Sequence, residues 1–313
     1  MANSTPLRIG TRGSPMALAQ AGIVRDRLAA AHPELAAPGA LEVVVIRTTG
    51  DAVQDRTLAA IGGKGLFTKE IEEALLARTI DLAVHSMKDV ATWLPPGLEI
   101  ACLLPRDDPR DAFLSPRAPT LAALPTGSVV GTASLRRQAQ VLQHRHDLRV
   151  VPLRGNAGTR MRKLAAGECD ATLLALAGLQ RLGETQAIAS VLSTAEMLPA
   201  VAQGAIGVEC RADDQRVRDA LVPLHHEPTA TCIAAERALL AALDGSCKTP
   251  IAGLAQLVAP DRLLFCGQIL APDGRRAHAT RREGRPETAI AMAEDAAAEL
   301  IALAGPDFFR ALF

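Results

Sequence analysis

The stretch Asp81-Leu-Ala-Val-His-Ser-Met-Lys-Asp-Val90 limits the fold of this chain more than any other. Its first half is apolar without alternation, which is how a strand covered on both faces reads, and such strands belong to the parallel sheets of α/β proteins. Its second half delivers His85, Ser86, Lys88 and Asp89 in quick succession. In open α/β sheets ligands bind beyond the carboxyl ends of the strands, so a lysine and a carboxylate arriving there form a site candidate. The competing reading is an ordinary surface Lys-Asp pair at a strand exit.

The flanking sequence supports the strand. Leu7 to Gly10 reads as a short strand, and Thr11-Arg12-Gly13-Ser14-Pro15 turns it into a helix to about Ala31, with Ser14 as N-cap and Pro15 at the first helical position. Leu41 to Thr48 is the next strand. Thr49 to Ile61 is polar and aperiodic and runs into Gly62-Gly63-Lys64-Gly65, so a lid is expected there. Phe67, Ile71, Ala74 and Leu75 share one helix face that leads into the Asp81 strand. Strand, helix and strand at crossover spacing predict a parallel sheet.

After the strand Leu98 to Leu104, Pro105-Arg106-Asp107-Asp108-Pro109-Arg110 breaks the pattern and marks a domain crossing. The alternation then restarts: strand Ser128 to Gly131, helix Ser134 to His144, strand Leu148 to Leu153, helix Asn156 to Ala166, strand Ala171 to Ala175. Thr194 to Gly204 is irregular, and Ala205 to Arg211 is a strand that returns to the first lobe. Beyond Pro223 come a helix from Pro228 to Leu243, strand-like runs at Ile251 to Val258, Leu263 to Leu270 and Arg275 to Arg282, and a helix from about Glu287 to Leu303. The expected fold is α/β: two periplasmic-binding-protein-like α/β lobes around a cleft, plus a small C-terminal α+β domain with an antiparallel sheet. The expected boundaries are 1–104 with 200–222 for lobe one, 105–199 for lobe two and 223–313 for the last domain.

Lysine plus arginine equals aspartate plus glutamate, 34 each, so no global charge drives the chain onto nucleic acid or a membrane. Aromatics are scarce, with one Trp, six Phe and no Tyr, which disfavours binding by base stacking. Met1 to Gly10 lacks the features of a signal peptide and no run approaches a membrane span, so a soluble cytoplasmic protein is expected. The six cysteines have neither disulfide nor zinc-ligand spacing, and no metal is expected.

Four strand-to-helix turns carry cations: Arg12, Lys64, the pair Arg136-Arg137 after Thr132-Ala133-Ser134, and Arg154 before Gly155-Asn156, with Arg160 one turn on. A helix start already holds about half a positive charge, so a cation there costs roughly 0.3–1 kcal/mol unless something anionic answers it. Four such turns point to an anion-binding wall, against the reading that each arginine pairs with a local acid or points to solvent. Neither a phosphate loop nor a dinucleotide fingerprint has its spacing here. Cys247, in Asp244-Gly245-Ser246-Cys247-Lys248, differs from the other cysteines: it lies in a polar turn beside a lysine that favours the thiolate, and is a candidate nucleophile or attachment point. A packed loop cysteine is the alternative.

Together, Thr11-Arg12-Gly13-Ser14-Pro15 with Gln20, Gly62-Gly63-Lys64-Gly65-Leu66-Phe67, Val84-His85-Ser86-Met87-Lys88-Asp89-Val90, Arg106 to Asp111, Gly131 to Arg137, Leu153 to Asn156 and Asp244 to Cys247 resemble the porphobilinogen deaminase (hydroxymethylbilane synthase) family. They occur in the family's order over nearly the whole chain. The resemblance implies a three-domain monomeric enzyme that condenses four porphobilinogen molecules head to tail with loss of ammonia, then hydrolyses off linear hydroxymethylbilane. It also implies a dipyrromethane cofactor, built from substrate and held by a thioether at Cys247. Asp89 would be the catalytic carboxylate, stabilising the azafulvene-type cation left by ammonia loss. Lys88, Asp89, Thr132, Ser134, Arg136, Arg137, Arg154 and Gly155 would bind the cofactor. Arg12, Ser14, Gln20, Lys64, Phe67, Arg154, Arg160 and Gln203 would bind substrate, the arginines clamping acetate and propionate groups.

Ala60, Ala91-Thr92 and Ser246 depart from common family residues, and Ala60 puts one cofactor or lid contact in doubt. Two rivals are weaker. A bilobal small-anion binding protein would need an export signal and has no use for the loop thiol, and a phosphate-handling transferase should offer a metal site or phosphate loop.

Overall fold

The computed structural model describes residues 6–49, 68–243, 250–306 and 308. Its first sheet is organised around β3 (Leu82–Ser86), the strand expected from the apolar run. Its neighbours are β1 (Leu7–Arg12), β2 (Leu41–Ile46), β4 (Leu98–Leu103) and β10 (Ile206–Arg211), in the order β2-β1-β3-β10-β4. β1 lies parallel to β2 and β3, as the crossover spacing requires. β10 runs antiparallel to both β3 and β4, so the late strand does return to this sheet.

Both faces of β3 are covered, which is why its sequence does not alternate. Leu82 and Val84 pack with Ala21, Val24 and Leu28 of helix α1 (Pro15–Ala31), while Ala83 packs with Ile71 and Leu75 of α2 (Lys69–Leu76). Val24 and Leu28 are fully buried, worth about 1.5–3 kcal/mol each relative to exposure. The helix face expected around Ile71 is confirmed in Ile71 and Leu75; its first member, Phe67, lies outside the described residues, as do Lys64, Cys247 and the expected lid beyond Thr49.

The second sheet takes β5 (Asp111–Leu114), β6 (Val129–Gly131), β7 (Arg149–Val151), β8 (Ala171–Ala175) and β9 (Ser190–Val191) in the order β7-β6-β8-β5-β9. It repeats the plan of the first: three parallel strands, then one antiparallel strand inserted beside them. Its helices are α3 (Leu135–His144), α4 (Ala157–Ala165) and α5 (Leu176–Leu182). A short helix, α6 (Gln215–Leu221), follows β10.

The C-terminal part is α+β, as expected. Helix α7 (Glu227–Ala242), the antiparallel strands β11 (Ile251–Ala259), β12 (Arg262–Leu270) and β13 (Ala277–Gly284), and α8 (Ala289–Ala304) surround one core containing Leu239, Phe265, Ala293 and Leu300. The chain packs as two units. One takes residues 6–49, 68–107 and 205–230; the other takes 108–204 and the described residues from 231 on, and so holds both the second sheet and the C-terminal sheet. Among the described residues no helix is long and apolar enough to cross a membrane.

Candidate active site

In the first unit, β3 ends in a single 3-10 turn, Met87–Asp89, and that turn lifts Lys88 and Asp89 into solvent. The turn is anchored from below. Met87 is 2 % exposed, its N–H donates to the Ala205 carbonyl at 3.1 Å, and the Val90 N–H closes onto the Met87 carbonyl at 3.3 Å. Gly207 on β10 makes the space, since a Cβ there would lie 2.1 Å from Met87 Sδ. The polar cluster read from the sequence is therefore split. His85 turns inward, where its Nε2 meets Glu209 Oε2 at 2.8 Å, both side chains buried. Burial, and then the neighbouring Glu209 charge, push the Glu72 carboxyl beside them up from its ordinary value.

Gln20 reaches the same strand end. Its Nε2 donates to Ser86 Oγ at 2.7 Å, and the Ser86 hydroxyl lies 3.1 Å from Gln20 Oε1, so this residue, expected at the substrate, is 2 % exposed and braces the strand before the turn. Ser14 is the N-cap of α1: its Oγ accepts from the Ala17 N–H at 3.2 Å. Arg12 closes β1 two residues before that cap and is half-buried.

In the second unit the expected residues gather at two helix starts. Thr132 follows β6; its Oγ1 accepts from the Ser134 N–H at 3.2 Å, and Ser134 caps α3 by accepting from the Arg137 N–H at 3.4 Å. Arg136 and Arg137 do not point away from the fold. Each is 5 % exposed, and each places its Nη2 2.7 Å from one oxygen of Asp111, the first residue of β5. Their Nη1 atoms donate to the Leu198 and Leu173 carbonyls at 2.7 and 2.9 Å. Burial alone would push Asp111 up, but the two guanidiniums hold it well below the usual carboxylate range. Of the two readings of these helix-start arginines, local pairing therefore holds for part of the charge on Arg136 and Arg137: the protein supplies one carboxylate for the two of them.

That leaves an imbalance. Among the described residues Arg136 and Arg137 share one carboxylate, a surplus of one positive charge in a buried setting, and the Nε–H of each has no partner. Buried cations are ordinarily paired and hydrogen-bonded. Orphaned guanidinium donors and a surplus charge fit a group that brings carboxylates of its own, as a dipyrromethane does.

The other helix start is Leu153-Arg154-Gly155-Asn156. Gly155 has φ +111°, and a Cβ there would lie 2.6 Å from the Thr159 side chain, so the turn requires glycine. Asn156 caps α4 through the Thr159 N–H at 2.9 Å, and Arg160 donates from Nε to the Gly155 carbonyl at 2.8 Å, folding back over the turn beside half-buried Arg154. Gln203 is 1 % exposed, with its Nε2 2.9 Å from Asp111 Oδ1 and 2.7 Å from the Pro109 carbonyl. Asp111 links these groups, and its one signal in the sequence is an acid opening an apolar run, Asp111-Ala-Phe-Leu114.

Comparison with known proteins agrees over most of the chain. Residues 7–219 match the family model described as the dipyromethane cofactor binding domain of porphobilinogen deaminase, and residues 230–302 match that of its C-terminal domain. The chain is 57% identical over 301 residues to a porphobilinogen deaminase of Nitrobacter hamburgensis, covering 96% of this chain and 94% of that one. It is 55% identical over 304 residues to that of Paracoccus denitrificans, covering 97% and 96%. A chloroplastic porphobilinogen deaminase of rice, Oryza sativa subsp. japonica, is 55% identical over 308 residues, covering 98% and 86%. Among solved structures, the periplasmic aliphatic sulphonate binding protein SsuA from Escherichia coli aligns at a TM-score of 0.39 and 13% identity, over 77% of this chain and 71% of that one, a level that carries no argument. Matched by both family models and by full-length relatives, the chain belongs to the porphobilinogen deaminase family.

Proposed function

We propose that the chain is a hydroxymethylbilane synthase, which condenses four porphobilinogen molecules onto a resident dipyrromethane primer with loss of ammonia and releases linear hydroxymethylbilane by hydrolysis. The observation that carries this reading is the family match spanning residues 7–219 and 230–302 at 55–57% identity to full-length relatives. When bound, the dipyrromethane supplies the pyrrole carbon to which the first substrate ring is joined.

The chain's own residues bind, orient and stabilise charge. Arg136 and Arg137 hold cofactor carboxylates, with Thr132, Ser134, Lys88, Arg154 and Gly155 completing that set. Arg12, Ser14, Lys64, Phe67, Arg154 and Arg160 serve the incoming substrate ring, and buried Gln20 and Gln203 support it from behind, through Ser86 and Asp111. Asp89, exposed on its anchored turn, accepts the pyrrole N–H of that ring through a carboxylate oxygen and so favours the cation that forms when ammonia leaves. In the same reading the Asp89 carboxylate manages the proton of deamination.

Three domains divide the work in this proposal: 1–104 with 200–222, 105–199, and 223–313, the last carrying Cys247. A monomer is the proposed form, and a charge balance of 34 against 34 supports partners limited to the small-molecule substrate, with no nucleic acid. Cytoplasmic residence is supported by Cys102, Cys169, Cys210 and Cys266, which form no disulfide among the described residues, as a reducing compartment keeps them.

Intact mass of the purified protein tests the reading. The expected result is an excess over the polypeptide equal to one dipyrromethane, mapped to the peptide holding Cys247 and lost in Cys247→Ala. A wild-type chain that remains bare after incubation with porphobilinogen, or a Cys247→Ala chain that loads normally, would overturn it.

A further inference from the structure

Two arginines packed side by side repel, and nothing in the local sequence of α3 says what holds them together. Asp111 does so from 25 and 26 residues upstream, on strand β5, with one oxygen to each guanidinium. It is itself fully buried, and its Oδ1 takes a third donor, Gln203 Nε2 at 2.9 Å. Gln203 is held in turn. The preceding Ala202 sits at φ +60°, a conformation non-glycine residues rarely adopt, and its N–H is taken by Glu236 Oε2 at 2.6 Å. The other Glu236 oxygen accepts from the Ala255 N–H of β11 at 2.8 Å. Leu198, in the same segment, accepts from Arg136 through its carbonyl and brackets Gln140 with two hydrogen bonds. The guanidinium pair is therefore fixed from three directions, and every fixing contact passes through Asp111 or a backbone carbonyl.

We propose that Asp111 is the positioning residue of the cofactor's carboxylate clamp: it binds neither cofactor nor substrate, but sets the spacing and orientation of Arg136 and Arg137 and leaves them one unanswered positive charge for a carboxylate ligand. The proposal rests on the functional reading above. A single carboxylate serves this purpose where two would not, because a second acid would neutralise the pair and remove its demand for an external anion. A neutral residue would leave two uncompensated cations, which would drive the guanidiniums apart.

The test compares wild type, Asp111→Asn and Asp111→Glu for thermal unfolding, for the fraction carrying dipyrromethane by intact mass after incubation with porphobilinogen, and for kcat and KM per loaded molecule. Asp111→Glu keeps the charge and displaces the pair by about one methylene, so it decides the matter if Asp111→Asn does not fold. The expected result is a folded Asp111→Glu protein whose loaded fraction falls roughly tenfold or more, with a raised KM in the molecules that do load. Variants that melt lower than wild type yet load fully, with unchanged kcat and KM, would make Asp111 purely structural and overturn the proposal alone. A wild type that never loads would overturn the functional reading and this proposal together.

Discussion

Asp89 and Asp111 are both carboxylates at strand ends, and their surroundings give them opposite work. Asp89 is exposed on a turn whose backbone is tied to Ala205 and Met87, so it is fixed in place yet open to a ligand. Asp89→Asn preserves shape and turn geometry while removing the charge. It should keep the fold and the cofactor mass and lower kcat by about 10²-fold or more; rates near wild type would remove Asp89 from the mechanism. Asp111, buried against two guanidiniums, contributes to stability as well as to their placement. Its carboxyl titrates below the ordinary aspartate value in the folded chain, so its contribution is complete above about pH 4 and is lost as pH falls further. Asp81 and Asp108 are also held low; burial opposes this at both, and it is outweighed by the hydrogen bonds from Arg8 at Asp81 and exceeded by those from Arg110 at Asp108. Glu72, held up by burial, runs the other way. Urea midpoints should accordingly be nearly flat from pH 7 to about 5 and drop below about 4. A steep loss already above pH 5 would contradict this assignment.

Elements whose sequence states their own environment were readable from that sequence. β3 showed its double burial as an unbroken apolar run, and α1 and α3 showed their starts as Ser14-Pro15 and Ser134, both of which cap as expected. β5 and β9 carry no such signal, because Asp111–Leu114 and Ser190–Val191 are four and two residues long and exist as strands only by pairing with β8 and with each other. The same limit applies to the site. Sequence placed Arg136 and Arg137 at a helix start, but their direction depends on Asp111, which only the sheet brings beside them. Gln20 and Gln203 likewise took their inward course from tertiary partners, Ser86 and Asp111. The turn at Gly155 is the opposite case, local enough to predict from. Gly155→Ala forces a Cβ onto Thr159 in left-handed backbone, so it should cost about 1–3 kcal/mol and displace Arg154 and Arg160. A lower melting temperature with a several-fold rise in KM for porphobilinogen is the expected result, and an unchanged melting temperature would contradict it.

At the scale of the whole molecule the two α/β sheets share a plan, three parallel strands with an antiparallel strand inserted beside them, yet they complete it in opposite ways. In the second sheet the inserted strand, β5, is the first of its strands to be made. In the first sheet it is β10, and among the described residues β4 has no partner there other than β10. A chain leaving the ribosome thus finishes β4 at Leu103 and must emit roughly 100 further residues, about 5–20 s of translation, before Ile206 arrives to pair with it. For that interval the nascent polypeptide carries two open strand edges while the later lobe assembles. The order of synthesis, more than the final stability, sets when this enzyme most needs a chaperone.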